Sequence, residues 1–139
     1  MTDASEPARE SRAAQKSVLI VEDNDDARSA LVAVLELEDF RVESASDGPK
    51  AIACVRQHTF DAVLVDIGLP GMDGYEVARQ IRQLGNHQPF LIALTGYGQP
   101  EDRRRAAEAG FDTHLVKPVD PVELAELLSR GIPGRGSRE

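Results

Sequence analysis

Aromatic side chains make up only 4% of the 139 residues, and tryptophan is absent. A core without large rings must be filled by Val, Leu, Ile and Ala, closely packed by shape. The single cysteine, Cys54, excludes an internal disulfide and with it the stapled framework of a small secreted scaffold. A reducing, cytoplasmic compartment is the expectation. No apolar run approaches the ~20 residues that span a bilayer, and the opening MTDASEPARESRAAQK has no signal-peptide core. No membrane partner is expected. Positive charge is also scarce, with 16 Lys+Arg against 24 Asp+Glu and a formal charge of −8. A nucleic-acid-binding module needs a basic face to release counterions from phosphates, so no nucleic acid is expected either.

What is present suits one globular domain: 41% hydrophobic and 29% charged residues in a length typical of a single unit. Residues 1–16 and 131–139 read as flexible tails, the first for want of large apolar side chains and the second for its glycines. The folded unit is then 17–130, which holds twenty of the acids and eleven of the bases. Within it, Val18–Val21, Ala62–Val65 and Phe90–Leu94 are short continuous apolar runs, the pattern of strands buried on both faces. Phe40 and Val42 alternate as in a less buried strand, and Thr113–Val116 is a fifth. Between them, helical spacing links Ala27, Leu31, Val34 and Leu35, then Ala51, Ile52 and Val55, then Val77, Ile81 and Leu84. A fourth helix is expected over 100–109, and Leu124, Leu127 and Leu128 mark a fifth.

Start and stop signals agree with that partition. Asp73 with Glu76, and Asp120 with Glu123, have the spacing of a capping side chain followed by a first-turn acid. Pro49, Pro100 and Pro121 fall in first turns, where the missing N–H costs nothing. Gly110 and Gly131 follow helices four and five, where a left-handed residue is expected. Pro70-Gly71 suits the centre of a type II turn. Five strand–helix pairs imply an α/β fold, a parallel sheet with helices on both faces.

The polar residues at the strand ends carry the chemistry. Glu22 and Asp23 follow the first strand, Asp66 the third, Thr95 the fourth and Lys117 the fifth. In an open parallel sheet the carboxyl ends share one edge, where ligands bind. Three carboxylates at that edge repel, and a divalent cation relieves the repulsion. Oxygen-only ligands favour a hard ion such as Mg²⁺ over zinc. Lys117 and Thr95 add a point charge and a hydroxyl for an anion, an arrangement suited to phosphoryl transfer.

Glu22-Asp23, the run Val65-Asp66-Ile67-Gly68-Leu69-Pro70-Gly71-Met72-Asp73-Gly74, Leu94-Thr95-Gly96 and Leu115-Val116-Lys117-Pro118 resemble the receiver domain of two-component response regulators. The likeness covers essentially all of 17–130. It implies a flavodoxin-like, doubly wound five-stranded sheet of order 2-1-3-4-5 with five helices. It also implies that Asp66 takes a phosphoryl group from a histidine kinase or histidine phosphotransfer protein. Asp23, Asp66 and the backbone carbonyl of Gly68 would hold Mg²⁺, with Glu22 acting through water, while Thr95 and Lys117 contact the phosphoryl oxygens. A downstream protein partner is expected on the face made by the fourth helix, fifth strand and fifth helix. A cis peptide before Pro118 is a frequent family feature, in keeping with the small trans preference of X-Pro bonds. The tails and Leu94-Thr95-Gly96-Tyr97-Gly98 are similar, more weakly, to receivers attached to hybrid sensor kinases.

Each residue alone has a plainer reading. A lone Asp before a Gly/Pro loop usually caps a turn, Asp25 and Asp26 suit the positive end of the first helix, and Arg103-Arg104-Arg105 is first of all a solvated face. Cys54 reads as packing. The conjunction of Asp23, Asp66, Thr95 and Lys117 in one register favours function. His114 stands where receivers commonly place a switching Tyr or Phe. A lone strand histidine is read first as structural, which leaves Thr95 as the group that shifts toward the phosphoryl. Gly68 and Tyr97, each two residues beyond Asp66 and Thr95, occupy positions that tune water access: the glycine leaves room and the tyrosine shields. Two rivals remain. One is a receiver-fold interaction module that works without phosphate. The other is an aspartyl-phosphate hydrolase of the haloacid-dehalogenase type, disfavoured because Gly68 stands where that class needs a second Asp.

Overall fold

The computed structural model describes residues 15–85, 87–96 and 100–132. The expected tails lie for the most part outside this range, as does Tyr97. Five strands, β1 (Ser17–Val21), β2 (Arg41–Ala45), β3 (Ala62–Asp66), β4 (Phe90–Thr95) and β5 (Thr113–Val116), alternate with five helices. These are α1 (Asp25–Leu37), α2 (Gly48–Gln57), α3 (Gly74–Leu84), α4 (Pro100–Ala109) and α5 (Pro121–Gly131). All strand pairs are parallel and the order across the sheet is β2-β1-β3-β4-β5. Among the described residues no helix is long and apolar enough to cross a membrane.

The two-residue side-chain period of a strand splits the three apolar runs between two cores. Leu19, Val21, Val63, Val65, Leu91 and Ala93 face one way and pack with Ile52 of α2, Val77 and Ile81 of α3 and Ala106 of α4. Val18, Ile20, Leu64, Ile92 and Leu94 face the other way, against Leu35 of α1 and Leu124 and Leu128 of α5. Cys54 is half-buried beside the first core, and burial pushes its thiol up, consistent with packing. β2 and β5, at the two edges, are the less buried strands.

The helix starts follow local chemistry. Asn24, Asp47, Asp73 and Asp120 each adopt extended backbone and accept a bond from a first-turn N–H. Asp120 takes Val122 N rather than Glu123 N. Gly71 and Gly110 have φ of 77° and 115°, the left-handed values expected of them. Gly131 differs from expectation. It is the last residue of α5 and is not among the positive-φ residues, and Ile132 beyond it is buried in the second core. Its hydrogen answers a steric need instead, because a Cβ there would lie 2.2 Å from the Phe90 ring.

Candidate functional site

β1, β3, β4 and β5 deliver their polar successors to one edge of the sheet. Glu22 N donates to Ala45 O at 3.1 Å, so the β1–β2 ladder runs one residue past β1. This draws the Glu22 side chain inward, and only 2% of the residue is exposed. Its Oε2 accepts from Asn24 N at 3.1 Å. Asp23, the next residue, is exposed. Asp66 closes β3 and is 6% exposed. One carboxylate oxygen from each of Glu22, Asp23 and Asp66 lies within 4.8 Å of the others.

Both oxygens of Asp66 are held. Oδ1 accepts from Gly68 N at 3.0 Å and Oδ2 from Lys117 Nζ at 2.9 Å. The same ammonium is 3.5 Å from Glu22 Oε1. Its position is set by β5, since Lys117 N donates to Thr95 O at 2.8 Å and a cis peptide follows between Lys117 and Pro118. Thr95 closes β4, buried, on the strand beside β3. The loop after β3 is pinned through Gly74 at the start of α3. Gly74 N donates to Ile67 O at 3.1 Å, and a Cβ on Gly74 would lie 2.7 Å from Asp66 O. Only glycine lets α3 approach the back of the Asp66 peptide so closely.

Electrostatics follow from that geometry. Burial pushes the Glu22 carboxyl above the usual carboxylate range, against the Asn24 hydrogen bond, and the Asp66 charge adds to the rise. Burial alone would lower the Lys117 ammonium, but the hydrogen bond and charge of Asp66, with those of Glu22, outweigh it and hold Lys117 above its usual value. Three carboxylates and one ammonium leave a formal excess of two negative charges in the crevice. Oxygen donors at this spacing, with an anionic excess and no sulfur or imidazole among them, suit a hard divalent cation.

The structure thus brings together Glu22, Asp23, Asp66 and Lys117, with Thr95 and Gly68 bordering them. His114 stands apart. It pairs with Ala93 in the middle of β5, half-buried, on the strand face opposite Leu115. Arg103, Arg104 and Arg105 are exposed on α4, and the Arg105 guanidinium lies 4.3 Å from the centre of the Tyr75 ring on α3. Sequence reasoning passed over Asn24 and Arg28. The first was legible as a cap residue before Asp25-Asp26. The second was not, because its acceptor is a backbone carbonyl, that of Glu22, at 2.8 Å.

Known proteins place this arrangement in a family. The family model for the response regulator receiver domain matches residues 18–129. An uncharacterized 14.6 kDa protein of Leptolyngbya boryana is 36% identical over 84% of the chain and 90% of its own length. The transcriptional regulatory protein ResD of Bacillus subtilis is 36% identical over 79% of the chain, which spans 45% of that relative's length. Among solved structures, the receiver domain of a sensor histidine kinase of Pseudomonas aeruginosa PAO1, with a magnesium ion coordinated in its active site cleft, superposes with a TM-score of 0.79 at 35% identity. That match covers 86% of this chain and 98% of the other. The receiver domain of Saccharomyces cerevisiae Ssk1, solved with the histidine phosphotransfer protein Ypd1, gives 0.80 at 26% identity over 85% and 89% of the two chains. The chain therefore belongs to the response regulator receiver domains of two-component signal transduction.

Proposed function

We propose that Asp66 is the phosphoacceptor of this receiver and that the folded unit, expected over 17–130, runs on through the end of α5 to Ile132. The observation that carries the reading is the convergence on Asp66: Lys117 Nζ at 2.9 Å, Gly68 N at 3.0 Å, and the Glu22 and Asp23 carboxylates within 4.8 Å. A carboxylate oxygen of Asp66 attacks the phosphorus of a phosphohistidine. A P–O bond forms, the P–N bond breaks, and the departing imidazole takes its proton from solvent. The chain's part is positioning and charge neutralisation. Gly68 N–H and Lys117 fix the carboxylate, Lys117 offsets charge on the transferring oxygens, and Thr95 at the adjacent strand end offers a hydroxyl to one of them. Asp23, Asp66 and the Gly68 carbonyl would hold Mg²⁺, with Glu22 reaching it through water, and the ion would supply charge neutralisation to the phosphoryl oxygens when bound.

The phosphodonor is a histidine kinase or a histidine phosphotransfer protein. The magnesium-bound and Ypd1-bound relatives support cofactor and partner respectively. A cleft of about 470 Å³ beside Glu22 and Lys117, walled by Ala27, Ala30 and Leu31 of α1 and by Val119, offers an apolar landing next to the reactive group. The product is a signalling state rather than a released compound. The added dianionic group biases Thr95 and α4 and so the face of α4, β5 and α5, where Val116, Val122 and Arg104 are exposed to a downstream protein. Tyr97 and His114 are assigned as tuning positions. The lone cysteine, Cys54, suits a cytoplasmic setting.

Incubation with Mg²⁺ and a small acyl phosphate tests the reading by intact mass. The wild type gains one phosphoryl group and Asp66→Asn gains none. Equal labelling of both proteins, or of neither, overturns it. Sustained release of phosphate from simple esters would instead mark a hydrolase.

A further inference from the structure

Arg28 occupies an electrostatically awkward place. It sits one turn into α1, with Arg28 N donating to Asn24 O at 2.9 Å, near the end of the helix that favours anions. Its guanidinium folds back past that end, and only 19% of the side chain is exposed. Nη1 donates to the backbone carbonyl of Glu22 at 2.8 Å, and Nη2 donates to Asp25 Oδ1. The carbonyl it holds belongs to the peptide that joins Glu22 to Asp23, the two acids of the β1–α1 turn. The N–H side of Glu22 is tied to β2 through Ala45 O. On the carbonyl side the turn is held at two points, by Arg28 at Glu22 O and by the bond from Asn24 N to Glu22 Oε2, and the exposed Asp23 carboxylate hangs between them. Arg28 holds the peptide that leads into Asp23.

We infer that Arg28 is a positioning residue for the cation site: by clamping the Glu22–Asp23 peptide it fixes the direction of the Asp23 carboxylate. The inference rests on the reading of the acidic cluster as a metal site. A merely electrostatic role and a positioning role give opposite signs. Removing a positive charge from the turn that carries Glu22 and Asp23 strengthens cation binding by Coulomb's law. Removing the clamp lets the Asp23 peptide rotate and weakens it, as loss of outer-sphere partners does at other metal sites.

Mg²⁺ titrations of the phosphate-free protein by calorimetry decide between them, with Arg28→Met keeping the apolar stem and Arg28→Lys keeping a cationic donor. The expected result is Mg²⁺ affinity reduced about tenfold in R28M and largely restored in R28K. Melting in EDTA checks that both variants fold, and amide NMR shifts of Asp23 show whether the turn has moved. If R28M binds Mg²⁺ as well as the wild type or better, or if R28K binds as poorly as R28M, the inference is overturned and the metal-site reading stands. If the wild type itself fails to bind Mg²⁺, the metal-site reading falls and the inference with it. Should R28M fail to fold, the R28K titration still decides, because displaced Asp23 amide shifts with unchanged Mg²⁺ affinity contradict the clamp.

Discussion

Glu22 has the harder electrostatic position of the two acids that follow β1. Its carboxylate is withdrawn from water beside Asp66, and Lys117 at 3.5 Å compensates only in part, so its carboxyl is raised by burial first. A raised native value means the folded chain binds this proton more tightly than the unfolded one, and stability falls as pH rises through that window. In EDTA at pH 7, Glu22→Gln should therefore raise the melting temperature by a few degrees. The gain should vanish only as pH falls well below 4.5, the ordinary value of the group, where the wild-type carboxyl is protonated in both the folded and the unfolded chain. A melting temperature that drops at pH 7 would show the ion pair with Lys117 to be worth more than the burial costs. The same residue shows what was legible beforehand. Its membership of the strand-end cluster followed from its place after an apolar run. Its burial did not, because that depends on the bond to Ala45, a residue on another strand. Arg28 was invisible for the related reason that no residue type announces a carbonyl as its partner.

At the scale of elements, the helices and strands were readable because each apolar run and each cap is local. Lateral order was not: periodicity says nothing of which strand lies beside which, and the order 2-1-3-4-5 came from the family likeness alone. Gly131 shows the same limit, since a glycine at a helix end announces freedom without saying whether backbone or neighbour requires it. Phe90, the neighbour in question, is remote in sequence. Long-range ties of this kind hold the edge opposite the acidic cluster. Arg82 of α3 donates to Gly110 O, Pro89 O, Gln88 Oε1 and Asp112 Oδ2, each at 2.9 Å, binding α3 to the start of β4 and the turn before β5. Asp112 Oδ2 also accepts from Leu91 N at 2.8 Å. Arg82→Ala should cost about 2 kcal/mol in urea unfolding, a figure discounted for the part of the side chain that water reaches. Arg79→Ala, which loses only an exposed pair with Glu76 on the same helix, should cost about 0.5 kcal/mol or less. Equal losses in the two variants would remove the special standing of Arg82.

Across the whole molecule, the proposed cation site makes binding and folding one equilibrium. The carboxylates meet within 4.8 Å only when β1 and β3 are paired, so Mg²⁺ should bind the native chain and hardly the unfolded one. Mass action then adds about 2.7 kcal/mol of stability at a hundredfold excess over the dissociation constant. The melting temperature should climb with the logarithm of Mg²⁺ concentration in the wild type and stay flat in Asp23→Asn. A variant that climbs as steeply as the wild type would remove Asp23 from the cation site.

The order of the strands has a consequence for when the protein can speak at all. Glu22 and Lys117 lie near opposite ends of the folded sequence and meet across a sheet whose β5 is an outer strand, laid down last in synthesis. A nascent or truncated chain that stops before β5 has Asp66 but no ammonium beside it, and a chain with β1 detached has lost the acids. On the proposed reading, the phosphoryl mark would be written only once β1 and β5 have both joined the sheet, and its presence would certify assembly as much as report a stimulus.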